Sequence, residues 1–200
     1  MFNYCIKFSG DGLENWNPIE CNNMSHMFVG CKNFDCNLSG WDVSNVEFMG
    51  EMFKKCTNFT GKGLEDWKPI KCKDMNYMFY YCKKFNCDLS GWDISNVENM
   101  SHMFVDCAKF TGEGLNSWKP IKCKDMNYMF YDCINFDCDL SGWDVSNVEN
   151  MRYMFFNCTK FRGKGLEEWK SKLYLHLKSE NMVGMFDYCD VLKSYPSWYY

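Results

Sequence analysis

The motif Met-Phe-x-x-Cys begins eight times in 200 residues, at Met1, Met27, Met52, Met78, Met103, Met129, Met154 and Met185. Nothing else in the chain restricts its fold as much. The intervals are 26, 25, 26, 25, 26, 25 and 31, and tryptophan keeps the same beat at Trp16, Trp41, Trp67, Trp92, Trp118, Trp143 and Trp169. A fixed period of this size belongs to chains that stack one unit on the next, each burying its apolar face against its neighbours. Two kinds of unit alternate. One reads Phe-x-Gly-x-Gly-Leu-x-x-Trp-x-Pro-Ile-x-Cys-x-x-Met-x-x-Met-Phe, from Phe59 to Phe79 and again from Phe110 to Phe130. The other reads Phe-x-Cys-x-Leu-Ser-Gly-Trp-Asp-Val-Ser-Asn-Val-Glu-x-Met-x-x-Met-Phe, as from Phe34 to Phe53. The chain is therefore expected to form one solenoid domain over residues 1–200, with turns starting near residues 8, 34, 59, 85, 110, 136 and 161. Five residues are inserted before Met182, and the stretch 170–200, with Leu173 to Glu180 near its start, is expected to cap the last turn.

Spacing predicts the local structure. At 100° per residue, Cys72, Met75, Met78, Phe79 and Cys82 fall within an arc of about 120°, the stripe of a core-facing helix. Ser44, Ser95 and Ser146 each stand three residues before a glutamate, which is capping-box spacing, so short helices are predicted at 46–55, 97–106 and 148–157. The segment from Leu38 to Val43 and its equivalents carry tryptophan and a β-branched residue between Gly and Ser, which suits a short strand or extended rung. Pro18, Pro69 and Pro120 remove a backbone donor from alternate rungs, so strand pairing there should be short or interrupted. The expected class is an α/β repeat solenoid with one rung and one short helix per turn.

The run Trp-Asp-Val-Ser-Asn-Val-Glu-x-Met-x-x-Met-Phe-x-x-Cys-x-x-Phe resembles the repeat of BspA-like leucine-rich-repeat surface proteins. It is similar to the 25-residue version found in Mycoplasma-type lipoproteins, some gut bacteria and large amoeba-infecting DNA viruses, and the resemblance covers residues 1 to 192. It implies a leucine-rich-repeat-like stack used for attachment or protein contact, without a catalytic centre. The alternating Pro-Ile turns and the many cysteines depart from the bacterial pattern.

Charge enters through its periodicity. The residue after each tryptophan runs Asn17, Asp42, Lys68, Asp93, Lys119, Asp144, Lys170, and six residues after tryptophan the order is Asn22, Glu47, Lys73, Glu98, Lys124, Glu149. Alternating signs on adjacent turns are expected to set register more than to stabilise, since exposed pairs contribute at most about 1 kcal/mol each. A net charge of −4 offers no basic footprint for a phosphate backbone, so nucleic acid is not an expected partner. No run of about 18 apolar residues occurs, so no membrane insertion is expected, and the N-terminus lacks the basic and apolar regions of a signal peptide. Those features lead to the expectation of an intracellular or virion location. Five Asn-x-Ser/Thr triplets, at Asn23, Asn37, Asn58, Asn99 and Asn157, are read as coincidental, because each sits beside a core position.

All fourteen cysteines fall into columns: eight in Met-Phe-x-x-Cys, then Cys21, Cys72 and Cys123, then Cys36, Cys87 and Cys138. Valine replaces the second group at Val46, Val97 and Val148, so these sites are expected to hold small buried apolar groups, meaning reduced thiols. A disulfide or half a zinc site in the Cys-x4-Cys pairs, such as Cys82 with Cys87, is the competing reading. The pairs recur only every second turn, which is awkward for sharing one ion. Methionines at Met-x-x-Met spacing suggest copper(I), yet their periodicity matches a core stripe. No cofactor is therefore expected.

Catalysis has little to work with. His26 and His102 share a column with Tyr77, Tyr128 and Tyr153, His176 lies in the cap, and the Gly-x-Gly pairs recur as turn glycines. Only 170–181 and 190–200 break the period. The expected role is non-enzymatic: a protein-interaction or structural module presenting a solenoid surface to a protein partner or assembly. An adhesin-like attachment protein and a Cys/Met-based metal binder are the alternatives. The candidate interface is the first turn, with Met1, Phe2 and Phe8, which could meet a protein partner or another copy in a homo-oligomer, together with Trp198, Tyr199 and Tyr200 of the aromatic tail.

Overall fold

The computed structural model describes residues 1–173 and 177–199. Through them the chain winds as a repeat solenoid in which each turn is tied to the next by backbone hydrogen bonds about one repeat apart. The Met-x-x-Met-Phe-x-x-Cys segments make these ties, and they are not helical. In one turn the amides of Met75, Tyr77, Phe79 and Tyr81 donate to the carbonyls of Asn99, Ser101, Met103 and Val105 at 2.8–3.0 Å. Between them, Met78, Tyr80 and Cys82 donate to the carbonyls three residues back, those of Met75, Tyr77 and Phe79. Every second amide thus serves the neighbouring turn and every other one closes a local β-turn.

The predicted helices at 46–55, 97–106 and 148–157 do not form. Two residues in each such segment take positive φ, Tyr77 at 54° and Tyr81 at 62° in one turn, His102 at 59° and Asp106 at 55° in the next. Positive φ at the third residue of a four-residue turn is the type II pattern and interrupts any helix. Tandem four-residue turns place their first and last residues inward, so Met75, Met78, Phe79 and Cys82 repeat at intervals of 3, 1 and 3. Those are also helical intervals. The serines do not cap helices either: Ser44, Ser95 and Ser146 give their amides to the carboxylates of Asp42, Asp93 and Asp144. These contacts close Asx turns, and the Ser44 bonds hold the Asp42 carboxyl below its usual range.

The expected rung at Leu38 to Val43 is likewise no strand. Parallel pairing sits instead at one residue per turn, running Asn23, Phe48, Asp74, Asn99, Asp125 and Asn150 as isolated bridges. Among the described residues regular helix is confined to one-turn pieces. After each Gly-x-Gly comes a 3-10 turn, at Leu13–Asn15, Leu64–Asp66, Leu115–Ser117 and Leu166–Trp169. The expected cap contains an α-turn at Lys170–Leu173 and a 3-10 turn at Ser179–Met182.

The core is a set of side-chain columns running along the stack. Phenylalanines from Phe2 to Phe186 stack at 5.5–5.8 Å between ring centres, and tryptophans from Trp16 to Trp198 at 6.1–6.4 Å. From Trp41 onward each indole Nε1 donates to the leucine carbonyl one turn back at 2.7–3.0 Å, so a buried polar atom is matched by a buried acceptor. The thiols repeat this: Cys56, Cys82, Cys107, Cys133 and Cys158 each donate to the phenylalanine carbonyl one turn back at 2.9–3.0 Å.

All fourteen cysteines are free thiols; ten are buried, Cys21, Cys138 and Cys189 are half-buried, and Cys5 is exposed. Cys5, Cys21, Cys138 and Cys189 thus depart from the expected burial. Burial pushes Cys72 and Cys123 up to about 12, and it raises Cys107 and Cys158 well above the ordinary thiol range. In the unfolded chain these thiols ionise near 8.5. Their contribution to stability is therefore intact below that value and is lost as pH rises toward the folded values, because the unfolded state releases its protons first. Urea midpoints are expected to fall steadily from pH 8.5 to 11. An unchanged midpoint across that range would contradict the buried ladder.

Candidate functional site

The sequence-predicted interface residues fall into two pairs, Phe2 with Phe8 at the first turn and Trp198 with Tyr199 at the last. Met1 is 84% exposed, whereas Phe2 and Phe8 are half-buried and stack on each other at 4.5 Å. Phe2 also lies 5.6 Å from Phe28 and gives its amide to the Met27 carbonyl. Trp198 and Tyr199 are half-buried. Trp198 fills the eighth position of the tryptophan column, its indole bonded to the Leu166 carbonyl at 2.7 Å, and Tyr199 packs edge-on against Phe186. Ser197 fastens the tail by two bonds to the Glu167 carboxylate. Tyr200, and with it His176, lies outside the described residues.

Of the ladder expected six residues after tryptophan, one pair is seen among the described residues. Lys73 reaches Glu47 at 2.6 Å, while Lys71 and Lys122 reach Asn45 and Asn96. The second expected ladder does not form. Lys68 and Lys119 bond the carbonyls of Gly91 and Gly142 rather than meeting Asp93 and Asp144.

A second surface breaks the period and was not singled out from the residues. It is built on the positive-φ positions of the tandem turns. Tyr77, His102, Tyr128 and Tyr153 stack along it with centroids 4.2, 4.7 and 4.9 Å apart. Beside them Tyr131 stacks flat on Phe156 at 4.5 Å, and Phe156 meets Tyr188 edge-on at 5.0 Å. Burial lowers the His102 pKa, and its Nδ1 is enclosed without a hydrogen-bond partner. The same positions in the first two turns hold His26, Val29, Gly30, Glu51, Lys54 and Lys55. That contrast was the available signal: columns that bury little yet become aromatic in later turns.

Burial also raises the half-buried thiols, Cys138 to about 11 and Cys189 to about 12, opposite to what a nucleophilic cysteine needs. Among the described residues no cluster of three or more His, Cys, Asp or Glu could hold a metal ion, and no helix is long and apolar enough to cross a membrane.

Turns locked to their neighbours by backbone, indole and thiol bonds define a repeat solenoid. The chain belongs to the family described as "Mycoplasma protein of unknown function, DUF285", whose model matches residues 1–118 and 88–198. No curated protein matches it. Among solved structures it is similar to a leucine-rich repeat protein from Eubacterium ventriosum, with 16% identity, a TM-score of 0.44, and 90% of this chain covering 44% of that one. A leucine-rich repeat protein from Bacteroides ovatus gives 13% identity and a TM-score of 0.27, with 87% of this chain covering 57% of that one. The chain thus spans less than three-fifths of either protein.

Proposed function

We propose that this chain is a non-enzymatic interaction module that presents its outward columns to a protein partner or assembly. The observation that carries the reading is the division of labour within each turn. Inward residues repeat almost without change, whereas the outward positions beside them vary from turn to turn on a backbone held in fixed register. A solenoid so built offers an extended, rigid surface, which suits recognition of another macromolecule. The exposed side chains of the first turn, Met1, Tyr4 and Ile6, belong to the proposed contact area, in a heteromeric or a homomeric contact.

Photo-crosslinking from probes placed singly on the outward columns, in extract of the source, tests the reading. One protein joined repeatedly through a contiguous set of columns supports it, and uniform or absent crosslinking counts against it. For the first turn, light scattering of the pure protein is expected to show concentration-dependent association that Phe2→Asp abolishes. Monomers at every concentration, together with no first-turn crosslinks, would remove that part of the surface from the proposal.

A further inference from the structure

The alternation of two turn types gives one face of the stack a pattern that complements itself. Bonds between adjacent turns hold its columns in register. The amides of Lys73, Glu98, Lys124 and Glu149 each donate at 2.8 Å to the carbonyl one turn back in their own column, beginning with that of Glu47. Beside that column the ammonium groups of Lys71 and Lys122 reach the side chains of Asn45 and Asn96 at 2.6 and 2.7 Å. Those asparagines in turn donate to the carbonyls of Ile19 and Ile70. Rows reading Ile-Lys-x-Lys, from Ile70 and Ile121, therefore alternate along the face with rows reading Ser-Asn-x-Glu, from Ser44, Ser95 and Ser146. One row is bulky and positive, and the next is small and negative.

The face is open to a partner. Ile70 and Ile121 are each 42% exposed, and a hollow of about 280 Å³ opens around Asn96 and Glu98, bordered by the lysines of the adjacent rows. In the charged column Glu47 and Lys73 pair with each other, whereas Glu98, Lys124 and Glu149 are exposed and form no ion pair among the described residues. A two-fold axis that lies in such a face, across the stack and between two rows, exchanges the two kinds of row and leaves each column opposite itself. With the axis between the Lys73 and Glu98 rows, Lys73 meets Glu98 of a second copy and Glu47 meets Lys124. Ile70 and Ile121 then meet Ser95 and Ser44, and symmetry makes every pairing occur twice. Parallel packing, or an axis through a row, sets like rows against each other, so the charge pattern selects one arrangement.

We propose that this face binds a second copy of the chain, antiparallel, about a two-fold axis between the Lys73 and Glu98 rows. This rests on the interaction-module reading and names the partner as the chain itself. Sedimentation velocity in the Phe2→Asp background, which removes the first-turn contact, is the test; the first-turn contact is itself measured in about 0.5 M NaCl, where charge is screened. Dimers are expected in about 0.05 M NaCl, with a dissociation constant roughly tenfold higher in about 0.5 M. Glu98→Lys and Lys73→Glu each place two like-charge pairs across the axis, so each should sediment as a monomer with an unchanged circular dichroism spectrum. Mixed in equal amounts, the two variants should form a one-to-one dimer, because each substitution then faces the charge it needs. Ile70→Asp should weaken the parent dimer, whereas Ile134→Asp, at an equally exposed site in another column, should not. Monomers at low salt in the Phe2→Asp background, dimers indifferent to both charge reversals, or variants that stay monomeric when mixed overturn the proposal. Crosslinks to one partner through other columns would in that event leave the broader module reading standing.

Discussion

Phe104→Ala is expected to destabilise the protein by roughly 3–5 kcal/mol, the range for removing a fully buried phenylalanine. The ring has no solvent exposure and stacks on Phe79, Phe110 and Phe130 at 5.5, 4.4 and 5.6 Å, so its loss opens a void in three successive turns. The column is continuous, and collapse into the void would require both neighbouring turns to shift. Lys109→Ala, at an exposed position in the same turn, should stay within about 0.5 kcal/mol. Paired urea titrations give the comparison, and a Phe104→Ala midpoint close to the parent's would mean that the column does not hold the turns together.

The glycines that open the 3-10 turns give a second large effect, graded by position. Gly12 and Gly114 have nearly the same backbone conformation, with φ of 92° and 86°. A Cβ at Gly12 meets nothing within 4 Å, whereas one at Gly114 would lie 2.2 Å from the Ser90 amide nitrogen and 2.4 Å from the Asp88 carboxylate. Gly12→Ala therefore carries the left-handed backbone cost alone, about 1–2 kcal/mol. Gly114→Ala adds a collision between backbones of adjacent turns and should cost roughly 3 kcal/mol or more. Thermal unfolding of the two variants side by side measures the difference. Equal losses would show that the glycines matter only for their dihedral angles.

Period, columns and core were legible in the residues, because an inward position in a stacked turn tolerates few alternatives. Phe34, Trp41, Met52 and Cys56 therefore return in register in later turns. The secondary structure was not legible from the same spacing, since tandem four-residue turns and a helix both bring residues inward at intervals of 3, 1 and 3. The sign of the difference lay in Tyr77, Tyr81 and their equivalents, whose positive φ cannot be read from residue type when the residue is tyrosine rather than glycine. The place of Trp198 in the tryptophan column was hidden by the long final interval. The aromatic strip was visible only as a column shared by His102 and three tyrosines; its neighbour Tyr131 emerges once adjacent turns are aligned in space.

The turn-to-turn hydrogen bonds have a mechanical consequence. Each turn holds only its two neighbours, so a load along the axis is carried by one interface at a time and peels the stack from an end. Every 25-residue turn released adds about 80–90 Å of slack chain. The molecule should therefore lengthen in even steps under tension and rewind when the load is removed, a compliance that a single globular core of the same size does not have.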